Sequence, residues 1–125
     1  MSDATILAAL NGLADAFNAH DLDRIMSYFA DDAVLEMPRD RDPWGTRYLG
    51  KQAVREALAG RLSGLPDVHY GDATHAVAGN LGTSRWTVTG TMANGQKIRA
   101  NGCDFYAFRD GLVVKKDSYW KIVEG

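Results

Sequence analysis

The sequence predicts an α+β fold in which three N-terminal helices pack on a strongly curved antiparallel sheet. Apolar residues recur at three- and four-residue spacing through the first half of the chain and at alternate positions after Pro66. The turn dipeptides Gly79-Asn80, Asn94-Gly95 and Asp110-Gly111 divide the second half into four segments of strand length. A chain of 125 residues, 46% of them hydrophobic, has the size of one domain with one core, so helices and sheet belong to a single domain over residues 1–125.

The first helix carries Ile6, Leu7, Leu10, Leu13, Ala14 and Phe17 on one stripe and is capped by Ser2 or Asp3. Asp21 can cap a short second helix whose buried stripe is Leu22, Ile25, Met26 and Phe29. The segment "DDAVLEMP" then turns strand-like and is stopped by Pro38. Arg39 to Gly50 mixes charges with Pro43, Gly45, Trp44 and Tyr48, which suits a loop long enough to act as a lid. A third helix runs from about Lys51 to Leu62 and presents Ala53, Val54, Ala57, Leu58 and Leu62 on one side, with Gly64 and Pro66 ending it. Four antiparallel strands follow, roughly 67–78, 81–92, 97–108 and 112–122. Their Val, Thr, Trp, Tyr and Phe content lets them curve into a deep half-barrel that the helices close on one side.

Composition narrows the function classes. A formal net charge of -2 without a clustered basic patch argues against nucleic acid and anionic membrane as partners. The N-terminal stretch has no basic leader and no run of 18 apolar residues occurs, so the expected location is the cytoplasm. With one cysteine, Cys103, no internal disulfide can form, and the absence of a CxxC pair or an HExxH helix leads us to expect neither metal nor cofactor.

One carboxylate stands out. Asp104 lies within aromatic and aliphatic strand sequence, where a water-facing strand would scatter its charges and a dry one would carry none. Alternation puts Ala100, Gly102, Asp104, Tyr106 and Phe108 on one face and Cys103, Phe105 and Ala107 on the other. If register follows the Asn-Gly and Asp-Gly turns, the Asp104 face is completed by Arg85, Thr87 and Thr89 on the preceding strand and by Lys116, Ser118 and Trp120 on the last. The opposite face then carries Trp86, Val88, Phe105 and Tyr119, an apolar surface suited to a homodimer.

The order of elements, with "AFNAHDLDRIMSYFADDAVLE" (Ala16 to Glu36) and "SRWTVTGTMANGQKIRANGCDFYAFRDGLVVKKDSYWK" (Ser84 to Lys121), resembles the nuclear transport factor 2-like superfamily, in its SnoaL-like and ketosteroid-isomerase-like branch. That resemblance implies a cone-shaped pocket between helices and sheet, with Asp104 pointing into it beside Arg85 and Lys116. Asp104 corresponds to the strand aspartate of ketosteroid isomerase and Trp120 to a pocket tryptophan of some members. Met37 and Leu13, however, replace that enzyme's base and tyrosine, which argues against its reaction. Of the groups used by limonene-epoxide-hydrolase-like members, Arg85 matches the arginine, Thr87 replaces the neighbouring aspartate, and Ser118 or Asp117 falls near the last one. SnoaL-type cyclases use a strand aspartate as acid/base, and Asp104 is its counterpart, although their partner histidine has no identifiable match.

The resemblance thus implies catalytic roles for Asp104, Arg85 and Lys116, with Trp120, Tyr106, Thr87, Ser118, Met37, Trp44, Tyr48 and Phe17 around the ligand. In a dry pocket Asp104 is a neutral donor or general acid; beside a cation it stays a carboxylate. The plainer reading of Asp104 and Arg85 is a structural ion pair, and that of the aromatic residues is ordinary packing. His20 reads as a capping residue at the helix junction, while His69 and His75 share a strand face by even spacing, so that one can reach the pocket mouth. Asp31, Asp32 and Glu36 read as a turn and a strand edge in water, and Cys103 as a packed thiol. Three functions stay open: a cofactor-free acid/base enzyme for a small hydrophobic cyclic or polyketide-like carbonyl compound, a non-catalytic carrier of such a molecule, or a protein-association scaffold.

Overall fold

The computed structural model describes residues 2–124. Its elements run α1 (Asp3–Asn18), α2 (Leu22–Met26), β1 (Phe29–Glu36), β2 (Arg47–Leu49), α3 (Lys51–Gly64), β3 (His69–Ala78), β4 (Leu81–Thr91), β5 (Lys97–Arg109) and β6 (Leu112–Trp120). The strands form one open six-stranded sheet in the order β2-β1-β6-β5-β4-β3. The expected four-strand meander is therefore the larger part of a wider sheet. The strand-like "DDAVLEMP" segment pairs parallel to β6 as β1, which makes the sheet mixed. Part of the expected loop pairs with β1 as β2, Glu36 facing Arg47. Phe29 opens β1 and does not belong to the α2 stripe.

Local chemistry explains the helices. Ser2 caps α1 by accepting from the Thr5 amide at 3.1 Å, and Asp21 caps α2 by accepting from the Arg24 amide at 3.1 Å. The α1 stripe Ile6, Leu10, Leu13 and Phe17 packs with Phe29, Phe108 and Val113 of the sheet and Val54 and Leu58 of α3. Burying each such large side chain contributes about 1.5–3 kcal/mol. The end of α1 is tied to β3 by Asn18, whose amide donates to the Tyr70 carbonyl at 3.0 Å and whose oxygen accepts from the Tyr70 amide at 2.8 Å. His20 adds a 2.6 Å hydrogen bond to the Val68 carbonyl, so it anchors the helix junction to the start of β3. Among the described residues no helix is long and apolar enough to cross a membrane.

Register decides which side chains meet, and it departs from the simplest reading of the turns. Between β4 and β5 the Met92 amide donates to the Gln96 carbonyl at 2.9 Å and the Gly95 amide to the Met92 carbonyl at 2.8 Å, with Gly95 at φ 85°. That is a type I turn closed by a left-handed glycine, a three-residue loop in place of the two-residue loop an Asn-Gly pair suggests. The pairing shifts by one residue, so Ser84 faces Asp104 and Trp86 faces Gly102. A one-residue shift turns every side chain over. Arg85 and Thr87 consequently lie on the outer face, not beside Asp104, while Trp86 and Val88 turn inward. On the other side of β5 a bulge at Val114 separates the Phe108–Val113 and Ala107–Lys115 pairs, and it brings Ser118 opposite Asp104.

A second bulge lies in β3 between Gly71 and Thr74, where Asp72 takes φ 53°. It changes the alternation along the strand. His75 pairs with inward-facing Ser84, whereas His69 pairs with Thr89 on the opposite face, so the two histidines do not share a face.

Candidate functional site

The inner face of β4, β5 and β6 holds a compact polar cluster under α1. Asp104 and Lys116 are nearly buried, their side chains 7% and 8% exposed, and the Lys116 ammonium lies 3.0 Å from Asp104 Oδ1. Ser118 donates to the same oxygen at 2.5 Å and accepts from Lys116 at 2.8 Å. Trp86 supplies the remaining bond, its indole N–H donating to Asp104 Oδ2 at 2.9 Å. A carboxylate has about four acceptor directions, and three of Asp104's are occupied by these donors. The cation and both neutral donors together fix the orientation of the carboxylate on the inner face. Lys116 has two of its N–H groups engaged here, and its ammonium stands 5.4 Å from the Phe17 ring centre and 5.8 Å from that of Tyr106.

Backbone geometry makes this arrangement possible. Gly102 stands between Trp86 and Trp120 in the sheet, and a Cβ there would come within 2.6 Å of the Trp86 ring. Without a side chain at that point, the indole lies flat across β5 and reaches Asp104. Trp86 also packs edge-on against Tyr70 at 4.9 Å and Trp120 at 5.9 Å, so three aromatic residues hold one another in place.

The cluster borders a chain of spaces. A void of about 20 Å³, enough for one water molecule, is lined by Phe17, Tyr70, His75, Asp104, Tyr106 and Lys116 among others. A narrower gap of about 10 Å³ shares Phe17, Tyr70, Trp86 and Lys116 with that void, and Met37, Pro38, Arg61 and Trp120 with an outer cleft. The outer cleft measures about 930 Å³ and lies between α3, the β1–β2 connection and the ends of β5 and β6, with Tyr48, Ala57 and Ile98 in its wall. The space under α1 is thus mostly filled by side chains, and open room begins beyond the neck formed by Met37 and Trp120.

Two tyrosines and a histidine complete the inner wall. Desolvation, with the Asp104 charge adding to it, raises Tyr106 well above its ordinary value near 10 and keeps it a neutral phenol. Desolvation also raises Tyr70; the Arg61 cation opposes this and Asp104 reinforces it. His75 lies 2.8 Å from the Ser84 hydroxyl through Nδ1, and desolvation lowers it below its ordinary 6.5 against the field of Asp15.

Of the residues expected at the site, Asp104, Lys116, Ser118, Tyr106 and Phe17 come together, and Trp120, Met37 and Tyr48 line the neck and cleft. Arg85 and Thr87 face outward, where Thr87 donates to Asn101 at 2.6 Å. Trp44 is 43% exposed on the β1–β2 connection, with the Arg47 guanidinium 4.5 Å over its ring, and lines none of these spaces. Sequence reasoning missed Trp86 as Asp104's partner and Arg61 at the neck. Only the pairing register exposes the first, and the second reads as an ordinary charge in the last turn of α3. Glu36, expected in water, is 4% exposed and bridged by Arg47 at 2.6 Å and Lys115 at 3.1 Å. Among the described residues no three His, Cys, Asp or Glu side chains group as a metal site.

A helix-covered sheet of this kind is the fold of solved structures described as NTF2-like proteins, and the family match is narrower. The SnoaL-like domain family matches residues 10–116, and the chain belongs to that family. Among solved structures, a proposed polyketide cyclase from Xanthomonas campestris pv. campestris superposes with a TM-score of 0.84 at 20% identity, covering 94% of this chain and 91% of that one. TerC, crystallised with polyporic acid, gives 0.80 at 18% identity over 94% and 92% of the two chains. A proposed isomerase from Bacillus subtilis gives 0.81 at 17% identity over 97% and 90%. At these identities the likeness establishes the fold. No curated protein matches the chain.

Proposed function

We propose that this chain is an acid/base enzyme acting on a small hydrophobic, cyclic or polyketide-like carbonyl compound. The observation that carries the reading is the buried Asp104–Lys116 pair, set against unfilled space that leads to an open cleft. Partly buried opposite charges beside a cavity concentrate at sites of proton transfer. The ring system of the ligand lies in the cleft, and its reacting carbonyl passes the Met37–Trp120 neck into the water-sized void. Met37, an unbranched and adaptable side chain, re-packs to admit it.

Asp104 takes a proton from the carbon next to the carbonyl, and the C–H electron pair becomes the double bond of an enolate. The carbonyl oxygen gains the charge beside the Lys116 ammonium, which stabilises it. In an isomerisation Asp104 returns the proton to a different carbon. In a cyclisation the enolate carbon instead bonds to a second carbonyl carbon, whose oxygen takes the proton. Trp86 and Ser118 keep the carboxylate oriented, and Tyr106 offers a neutral hydroxyl at the same wall. Similar folds described as a proposed polyketide cyclase and a proposed isomerase support chemistry of this class.

A second reading, a non-catalytic ligand carrier, is favoured by one observation: three of Asp104's acceptor directions are already filled. Exchange of carbon-bound protons for deuterium distinguishes the two. Cyclic ketones and 1,3-diketones in heavy water, followed by proton NMR, should lose their α-proton signals faster with the wild-type protein. Asp104→Asn should abolish that acceleration while leaving binding in place. Binding without exchange by the wild type for every compound would establish the carrier reading, and unchanged exchange by Asp104→Asn would remove Asp104 from the mechanism.

A further inference from the structure

We infer that the ligand is a flat organic anion, its acidic group held by Arg61 at the neck and its ring system laid against the apolar wall of the outer cleft. The inference rests on the ligand-site reading above and adds the charge of the ligand to it. Arg61 lies in the last turn of α3 and lines both the open cleft and the narrow gap behind it. Its guanidinium carbon lies 4.6 Å over the centre of the Trp120 ring, a cation–π contact that engages none of its N–H groups in an ion pair. Among the described residues it makes no ion pair and no side-chain hydrogen bond, in contrast to Arg47, Arg55 and Arg109, which pair with Glu36, Asp23 and Asp32.

The cleft's own carboxylates do not neutralise it. Asp40 is occupied by the Thr46 hydroxyl at 2.6 Å and the Arg41 amide at 2.7 Å, and Glu56 accepts from Gln52 at 3.3 Å along α3. A second guanidinium, Arg39, stands in the same cleft wall. An anion at Arg61 thus meets a cation with a planar donor fork, while the apolar wall of Met37, Leu65 and Ile98 takes its rings. The arrangement also orients the ligand: with its acidic group at Arg61, its other end faces the gap toward Lys116.

The test compares two probes with the same ring system, 8-anilinonaphthalene-1-sulfonate and the uncharged N-phenyl-1-naphthylamine, by fluorescence titration of the folded protein. Arg61→Gln should weaken the sulfonate by about tenfold, the scale of a lost charged hydrogen bond, and leave the neutral probe unchanged. Arg61→Lys should lose part of that affinity, because it keeps the charge and loses the planar fork. Arg85→Gln, which removes the same charge from the outer face, should change neither probe. Equal loss of both probes in Arg61→Gln, no loss of either, or failure of the wild type to bind the sulfonate overturns the inference. None of these outcomes depends on turnover, so a failure here leaves the deuterium-exchange result to be judged by itself.

Discussion

The indole N–H of Trp86 donates to Asp104 Oδ2 at 2.9 Å across Gly102, and that bond exists only because the intervening residue lacks a side chain. A methyl group at position 102 would come within 2.5 Å of the Tyr119 carbonyl oxygen and 2.6 Å of the Trp86 ring, so one of them must shift. Gly102→Ala should destabilise the protein by about 1–3 kcal/mol, the cost of overpacking a filled site. It should also shift the Trp86 indole N–H resonance, since the ring must leave the carboxylate. An unshifted resonance would show that the sheet absorbs the methyl group and that the glycine is dispensable.

Lys116 and Asp104 should be energetically coupled. Lys116→Met leaves a nearly buried carboxylate with only neutral donors, and breaking a buried pair in this way costs about 3–5 kcal/mol. Combining Lys116→Met with Asp104→Leu removes the stranded charge as well as its partner. Urea unfolding of the single and double variants should give a double-variant loss smaller than the sum of the singles. Additive losses would mean that the two charges contribute independently.

His75 gives the fold a pH dependence of definite sign. Desolvation holds its folded value below the ordinary 6.5, against the pull of Asp15, so the unfolded chain binds the proton more readily. Its contribution is complete above pH 6.5 and is lost as the pH falls from there through the folded value. His75→Gln, which keeps a partner for Ser84, should flatten the stability profile in that interval. NMR titration of the ring should yield a midpoint below 6.5, and one above 6.5 would reverse the argument.

Glu36 acts in a lower window. Its burial raises it, but Arg47 and Lys115 outweigh that and hold it below its ordinary 4.5. The stabilisation is present above pH 4.5 and disappears as the pH falls through the folded value. Glu36→Gln should lower stability at neutral pH and make acid unfolding less steep. A variant as stable as the wild type at pH 7 would show that the two bridges contribute nothing net.

On the outer face, Phe105 and Tyr119 are 49% and 54% exposed and stack edge to face at 5.5 Å. We expect this face to pair two copies of the chain. Sedimentation at micromolar concentration should give a dimer for the wild type and a monomer for Phe105→Asp; a wild-type monomer would contradict the expectation.

Periodicity alone determined the three helices, the four long strands and the mixture of helix and sheet, because burial of one helical stripe or one strand face writes its spacing directly into the residues. It also singled out Asp104, since a charge within aromatic strand sequence must be explained by something nearby. What it did not determine was the neighbour. Whether Arg85 or Trp86 meets Asp104 depends on one residue of register, set by Gly95 in a three-residue turn, and the bulge at Asp72 likewise separates His69 from His75. Trp44 and Tyr48 look alike in a loop sequence, yet only pairing of β2 with β1 puts one of them in the cleft wall. Strand-face identity has period two, so a local choice of turn inverts every contact along a strand while leaving its composition unchanged. Tertiary pairing therefore decided the site, and local sequence decided the elements that carry it.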